Sequence, residues 1–234
     1  FWVVQMKTIY KELQQNTPEW LQARCGVLTA SVMKELLTKT FAPSKGKMVD
    51  TLAHKLASQR ITQRVEENFM TYDMKRGHIE EELAIEAYPH NVESVGFITN
   101  DCYGFTLGYS PDGLVGENGA IEVKSRKQHF QTETFCAGEV PSEYMIQCQT
   151  GMIVGELEWL DFIQFSNGMP LFVKRVEPIP ELIETIKKVS QAFELKVVGI
   201  VETFFDRTKD SIITEWVEHN YEAGETVFSE EGEF

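Results

Sequence analysis

Apolar residues change their spacing partway along the chain, from a helical period to the alternation of strands. Thr17-Pro18-Glu19-Trp20 reads as a helix start, with Thr17 as cap, Pro18 at the first helical position, and Leu21 and Arg24 inside a short helix. Ser31 then opens a second helix whose apolar face is Val32, Met33, Leu36 and Leu37. Residues 40–48 read as a basic loop. Residues 50–64 suggest a helix with Leu52, Ala53 and Leu56 inward and Lys55, Arg60 and Arg64 outward. Residues 75–88 suggest another, with Ile79, Leu83 and Tyr88 on its inner side. Strand-like runs follow at Val92–Thr99, Gly104–Tyr109, Ala120–Ser125, Trp159–Phe165 and Leu171–Val176, with a helical stretch at 142–155 and a long amphipathic helix over 179–200. This order predicts an α/β (α+β) fold, with a central mixed β-sheet flanked by helices in a single domain over residues 1–234. Residues 1–5 precede Met6 and read as upstream of the fold, and residues 215–234 read as an acidic tail.

At 234 residues the chain can bury a core without disulfide or metal staples. Cys25, Cys102, Cys136 and Cys148 are scattered with no CxxC pair, as in reduced cytoplasmic proteins, and the five histidines have no ligand spacing with them. A zinc site and an iron–sulfur cluster are therefore not expected. No apolar run is long enough for a membrane helix. The net charge of -14 first argues against a nucleic-acid partner. That average conceals an asymmetry, because residues 1–65 hold ten Lys/Arg against four Asp/Glu, and the rest hold twelve against thirty-two. An acidic chain that handles nucleic acid must gather its positive charge in one place.

The candidate chemistry lies in Ser110-Pro111-Asp112-Gly113 and Ala120-Ile121-Glu122-Val123-Lys124-Ser125. Glu122 and Lys124 are two apart on a strand and leave the same face, while Ile121 and Val123 point to the core. A hairpin brings Asp112 beside Glu122. Two carboxylates with an ammonium one pleat away form a hard-cation site suited to Mg2+ or Mn2+. The lysine can orient or deprotonate an attacking water, or stabilise developing charge. An acid-x-base triplet alone is a common surface pair; the turn-borne Asp and the core-like strand raise this one above that reading.

Taken with Thr17-Pro-Glu-Trp20, Arg24-x-Gly26, Leu28-Thr-Ala-Ser31, Arg76-Gly77 with Glu81, and Tyr144-Met-Ile-Gln147, these elements resemble the lambda-exonuclease and YqaJ-type viral recombinases of the PD-(D/E)xK nuclease superfamily. The resemblance covers about residues 15–175 and implies a restriction-endonuclease-like core. It implies that Asp112, Glu122 and the main-chain carbonyl of Val123 bind metal, with Glu81 completing a site for two Mg2+ ions. It makes Lys124 the activator of the water, and it turns Tyr144 and Gln147 into the site. Arg24 and Ser31 resemble the pocket for a 5′-terminal phosphate. Lys45, Lys47, Lys55, Arg60 and Arg64 would track the duplex backbone, and Met74 would be the wedge that splits end base pairs.

The implied activity is 5′→3′ digestion of linear double-stranded DNA to mononucleotides by a ring-shaped homotrimer, with a single-strand annealing protein as partner, in the cytoplasm of a bacterial or phage-infected host. Two other functions use the same core: a restriction-like or repair endonuclease, which has no need of a terminal-phosphate pocket, and a non-catalytic DNA-end-binding module, which gains nothing from clustered acids.

Overall fold

A computed structural model describes residues 7–66, 72–101 and 103–217, without the side chains of 72–74. Residues 1–5, Cys102, the Met74 side chain and the tail beyond 217 thus lie outside the described residues.

Two four-stranded mixed sheets stand where the pattern predicts one. The first has the order β1 (Lys7–Tyr10), β3 (Phe97–Asn100), β4 (Leu107–Tyr109), β2 (Leu28–Thr29), and the second β5 (Gly113–Val115), β6 (Gly119–Ser125), β7 (Trp159–Phe165), β8 (Phe172–Val176). Strands of two to four residues carry too little alternation to be read, which is why β1, β2 and β5 escape the pattern and the division into two sheets with them. β6 and β7 run parallel, so they need a crossover. It is built from α4 (Gln128–Ala137) and α5 (Ser142–Gly155). The pattern also misses α4, because its inward residues are polar. Gln131 and Thr134 are buried, and the Gln131 amide donates to the carbonyls of Gln164 and Pro170 at 3.0 and 2.8 Å.

α5 is the central element and is buried over most of its length. It packs against both sheets and the short helix after β2. Gly151 makes this approach possible, since a Cβ there would stand 2.7 Å from Cζ of Tyr109. One cluster of buried side chains, among them Leu107, Tyr109, Ile146, Phe162, Ile186 and Phe193, joins the two sheets to α5 and to α6 (Pro180–Arg207). A second, smaller cluster of Ala84, Tyr88, Val115, Ile121, Val123 and Ile163 lies between the other face of β6 and α3 (Tyr72–Ala87).

Several local expectations change. The segment after β2 is a 3-10 helix, Ala30–Leu36, with Thr29 at its N-cap and Ser31 inside its first turn, so Ser31 does not open a helix. Arg24 is the C-cap of α1 (Pro18–Ala23), not part of its body. On α3 the inner row is Ala84 and Tyr88, while Ile79 is 64% and Leu83 44% exposed. Small Ala84 lets the helix approach β6, a preference that a count of large apolar residues misplaces. Among the described residues no helix is long and apolar enough to cross a membrane.

Candidate functional site

The β5–β6 hairpin sets Gly113 opposite Ile121. The next position outward brings Asp112 level with Glu122, where β5 has ended and β6 runs on. There the Asp112 carboxylate substitutes for a missing strand: Oδ2 accepts the Val123 N–H at 2.6 Å. Glu122, 1% exposed, points away from α3 into the space between the sheets. Its Oε1 accepts from Lys124 Nζ and from Gln147 Nε2 of α5, both at 2.5 Å. Its Oε2 accepts from the Tyr109 hydroxyl at 3.2 Å. Tyr144, one helical turn before Gln147, presents its ring 5.7 Å from Lys124 Nζ and accepts from Arg126 Nη1 at 2.5 Å. Asp112, Glu122, Lys124, Tyr144 and Gln147 therefore do meet.

Glu81 reaches the same electrostatic neighbourhood from α3. Burial raises its carboxyl pKa, with Lys124 and His78 acting against this and Glu122 adding to it. Glu80 is engaged elsewhere, by the Ser125 hydroxyl and by Arg76 at 3.7 Å. Glu82 is exposed. Of the three consecutive glutamates, Glu81 is thus the one whose charge is coupled to Lys124 and Glu122. Among the described residues, no three His, Cys, Asp or Glu side chains are arranged to hold an ion. As they stand, the side chains offer a carboxylate pair, and Mg2+ characteristically makes up its shell with water.

The donor set fits such a cation. Burial, and then the neighbouring Glu122 charge, push the Asp112 carboxyl well above the usual carboxylate range, against the pull of Lys124. Burial acts to lower the Lys124 ammonium, but Glu122 and Asp112 outweigh it and hold the pKa above its ordinary value. Two carboxylates thus meet beside one ammonium, and the charged groups they offer an ion are oxygen donors. That is the environment a hard divalent ion relieves.

A second constellation adjoins the first. The Arg24 guanidinium donates to the hydroxyls of Ser110 at 2.8 Å and Ser31 at 3.4 Å, and it lies 4.1 Å over the Trp20 ring. The Trp20 indole donates to Ser110 Oγ at 3.0 Å, and the Thr29 and Ser31 hydroxyls are 3.2 Å apart. Burial draws Arg24 down to about 10 while the charge of Glu122 acts to raise it, so it is a cation at neutral pH. Ser110 and Asp112 lie in the three-residue link between β4 and β5, which joins the two constellations.

Of the five residues assigned to the duplex backbone, Arg60 is placed differently. It points inward, bonding Glu194 with both Nη atoms at 2.5 and 2.8 Å and donating from Nε to the Gly26 carbonyl at 2.8 Å. Its length lets it fold back from an outer helical position onto α6, which periodicity cannot register. Lys45, Lys47 and Lys55 are exposed on the loop and on α2 (Lys47–Thr62), and Arg64 lies 4.7 Å over the Trp216 ring. No described contact links these four to Asp112, Glu122 or Lys124. The sequence reading passes over Tyr109 and Arg126 and gives Trp20 and Ser110 no role. Strand alternation from Glu122 and Lys124 could have reached Arg126; only the tertiary fold brings in Tyr109.

The model of the YqaJ-like viral recombinase domain matches residues 19–158, more than half of the chain. The chain belongs to this family. The crystal structure of an alkaline exonuclease (LHK-Exo) from Laribacter hongkongensis superposes with a TM-score of 0.73 at 30% identity, covering 82% of this YqaJ-like chain and 98% of that one. LHK-Exo in complex with dAMP gives a TM-score of 0.74 at the same identity and coverage. No curated protein matches by sequence. The YqaJ-like chain thus has a recombinase-family sequence on an exonuclease fold, and these findings indicate a nuclease.

Proposed function

We propose that this protein is a Mg2+-dependent exonuclease that digests one strand of linear double-stranded DNA in the 5′→3′ direction from 5′-phosphorylated ends, releasing mononucleotides and leaving a 3′ single-stranded overhang for recombination. The observation that carries this reading is the shared β4–β5 link: Ser110, held by Arg24 and Trp20, sits next to Pro111-Asp112, whose carboxylate lies against the strand of Glu122 and Lys124. A phosphate gripped by Arg24, Ser31 and Ser110 fixes the register of the strand at the carboxylates, as removal of one terminal nucleotide at a time requires. The alkaline exonuclease LHK-Exo and its complex with dAMP are in keeping with that product.

Asp112, Glu122 and the Val123 carbonyl would hold Mg2+, with Mn2+ as substitute, and Glu81 would extend the set toward a second ion. Such ions polarise the phosphoryl oxygens and acidify bound water. Oε2 of Glu122, with one long hydrogen bond from Tyr109, is the oxygen most open to a cation; Oε1 serves Lys124 and Gln147. Lys124 activates the attacking water, by orienting or deprotonating it, and balances charge growing on the phosphoryl oxygens. Gln147 fixes the Lys124–Glu122 pair, and Tyr144 borders the ammonium. Lys45, Lys47, Lys55 and Arg64 supply salt-sensitive contacts to the duplex. A homotrimeric ring, a single-strand annealing partner and a cytoplasmic setting complete the proposal.

The test is digestion of linear duplex with 5′-phosphate or 5′-hydroxyl ends, and of closed circles, with Mg2+ or with chelator. Loss of phosphorylated linear DNA in Mg2+ alone, with circles spared, is expected. Cut circles would make the protein an endonuclease, and loss of neither substrate would make it a binding module.

A further inference from the structure

Among the described residues, one buried side-chain polar atom has no hydrogen-bond partner: Nε of Arg126. Arg126 follows the last residue of β6, and its N–H continues the parallel ladder by donating to the Phe165 carbonyl at 2.9 Å. Alternation therefore puts it on the face that carries Glu122 and Lys124, about 7 Å along the strand from Lys124. The guanidinium is fixed in place. Nη1 donates to the Tyr144 hydroxyl at 2.5 Å, and the group lies 4.0 Å over the Phe130 ring.

What remains is the edge formed by Nε and Nη2, which has no acceptor among the described residues. Elsewhere in the same molecule, Arg175 uses that edge to grip both oxygens of Asp161, at 2.8 and 2.9 Å. An unpaired buried donor is costly and rare in folded proteins. A guanidinium held in place with an unsatisfied edge matches the oxygen spacing of a phosphate.

We propose that Arg126 is a further DNA-contact residue, gripping through this edge a backbone phosphate of the strand being cut, adjacent to the phosphate held at Lys124. This rests on the nuclease reading above and extends the substrate contact along β6. Arg126 thereby ties Tyr144 to the strand as well as to the site.

The test compares wild type, Arg126→Ala and Arg126→Gln in equilibrium binding of a 5′-phosphorylated duplex with chelator, and in digestion with Mg2+, from about 50 to 200 mM salt. Loss of one phosphate contact removes about 0.7–0.9 from the logarithmic salt slope, so wild-type affinity should fall about threefold more over this range than that of either variant. Both variants should also raise KM by a larger factor than they lower kcat. Arg126→Gln keeps the Cβ–Cγ–Cδ stem and a polar end, and it keeps the test readable if the alanine variant folds poorly. Equal salt slopes in wild type and Arg126→Gln, whatever the change in kcat, would overturn the proposal and leave Arg126 as a tether for Tyr144. A wild type that digests no linear duplex would refute the nuclease reading instead, and the binding slopes would still decide the case of Arg126.

Discussion

Glu122 accepts hydrogen bonds from three elements: Lys124 on its own strand, Gln147 on α5 and Tyr109 on β4. Asp112 needs only the adjoining hairpin to reach it. That difference explains what the sequence could reveal. Alternation and a short turn are local, so Asp112, Glu122 and Lys124 are legible without a fold. Tyr109 acquires its partner only when the first sheet meets the second, and Ser110 only when α1 and its C-cap dock beside β4. Replacing Asp112 with Ala should lower cleavage by about 100-fold or more while leaving DNA binding measurable in a filter or anisotropy assay. Replacing Gln147 with Ala removes only a supporting hydrogen bond, and a loss of about 10- to 100-fold in kcat is expected. Arg24→Ala acts on the other constellation. Charge-assisted hydrogen bonds to one phosphate are worth about 1.5–3 kcal/mol each, so the preference for 5′-phosphate over 5′-hydroxyl ends should shrink by at least about tenfold. An unchanged preference would remove Arg24 from the pocket.

The elements divide by how their inward faces are made. β6, β7, β8 and α5 bury apolar side chains in regular spacing, and the pattern finds them with bounds close to those observed. α4 turns glutamine and threonine inward, and α3 turns alanine inward, so hydropathy misses the first and misorients the second. α2 has a further task. Gln59 Oε1 accepts the Gly26 N–H at 2.9 Å and Arg60 binds the Gly26 carbonyl, which braces the turn that carries Arg24 against α6 through Glu194. Gly26 has φ +69, and a Cβ there would lie 2.6 Å from the Arg60 side chain. Glu194→Ala breaks a partly buried pair and should cost about 1–3 kcal/mol in chemical denaturation. β7 holds a pH-sensitive pair on its far side. Burial acts to raise the Asp161 carboxyl, but Arg175 and the Tyr88 hydroxyl outweigh it and hold the pKa below its ordinary value. The stability this gives is complete above the unfolded pKa of about 3.9 and is lost as pH falls through the folded one. Between about pH 5 and pH 2, wild type should therefore lose more stability than Asp161→Asn, which starts lower but lacks this titration.

Across the whole molecule, charge is segregated: bases lead in the first 65 residues and acids dominate the remainder. An acidic chain can then approach a polyanion chiefly through that region and through the bases that line the site, and contacts to phosphate at either place should respond to salt. Arg60 separates composition from structure, because its charge lies within that region but faces Glu194. Lys55→Ala should flatten the salt dependence of DNA binding by up to about 0.9 in logarithmic slope without moving Tm, whereas Arg60→Ala should lower Tm and leave the slope unchanged. The most direct measurement concerns the carboxylate pair itself. Calorimetric titration of Mn2+ into the DNA-free protein should give saturable binding in wild type and none at the same concentrations in the double variant Asp112→Asn, Glu122→Gln. Wild-type binding by that double variant would contradict a cation held between the β4–β5 link and β6.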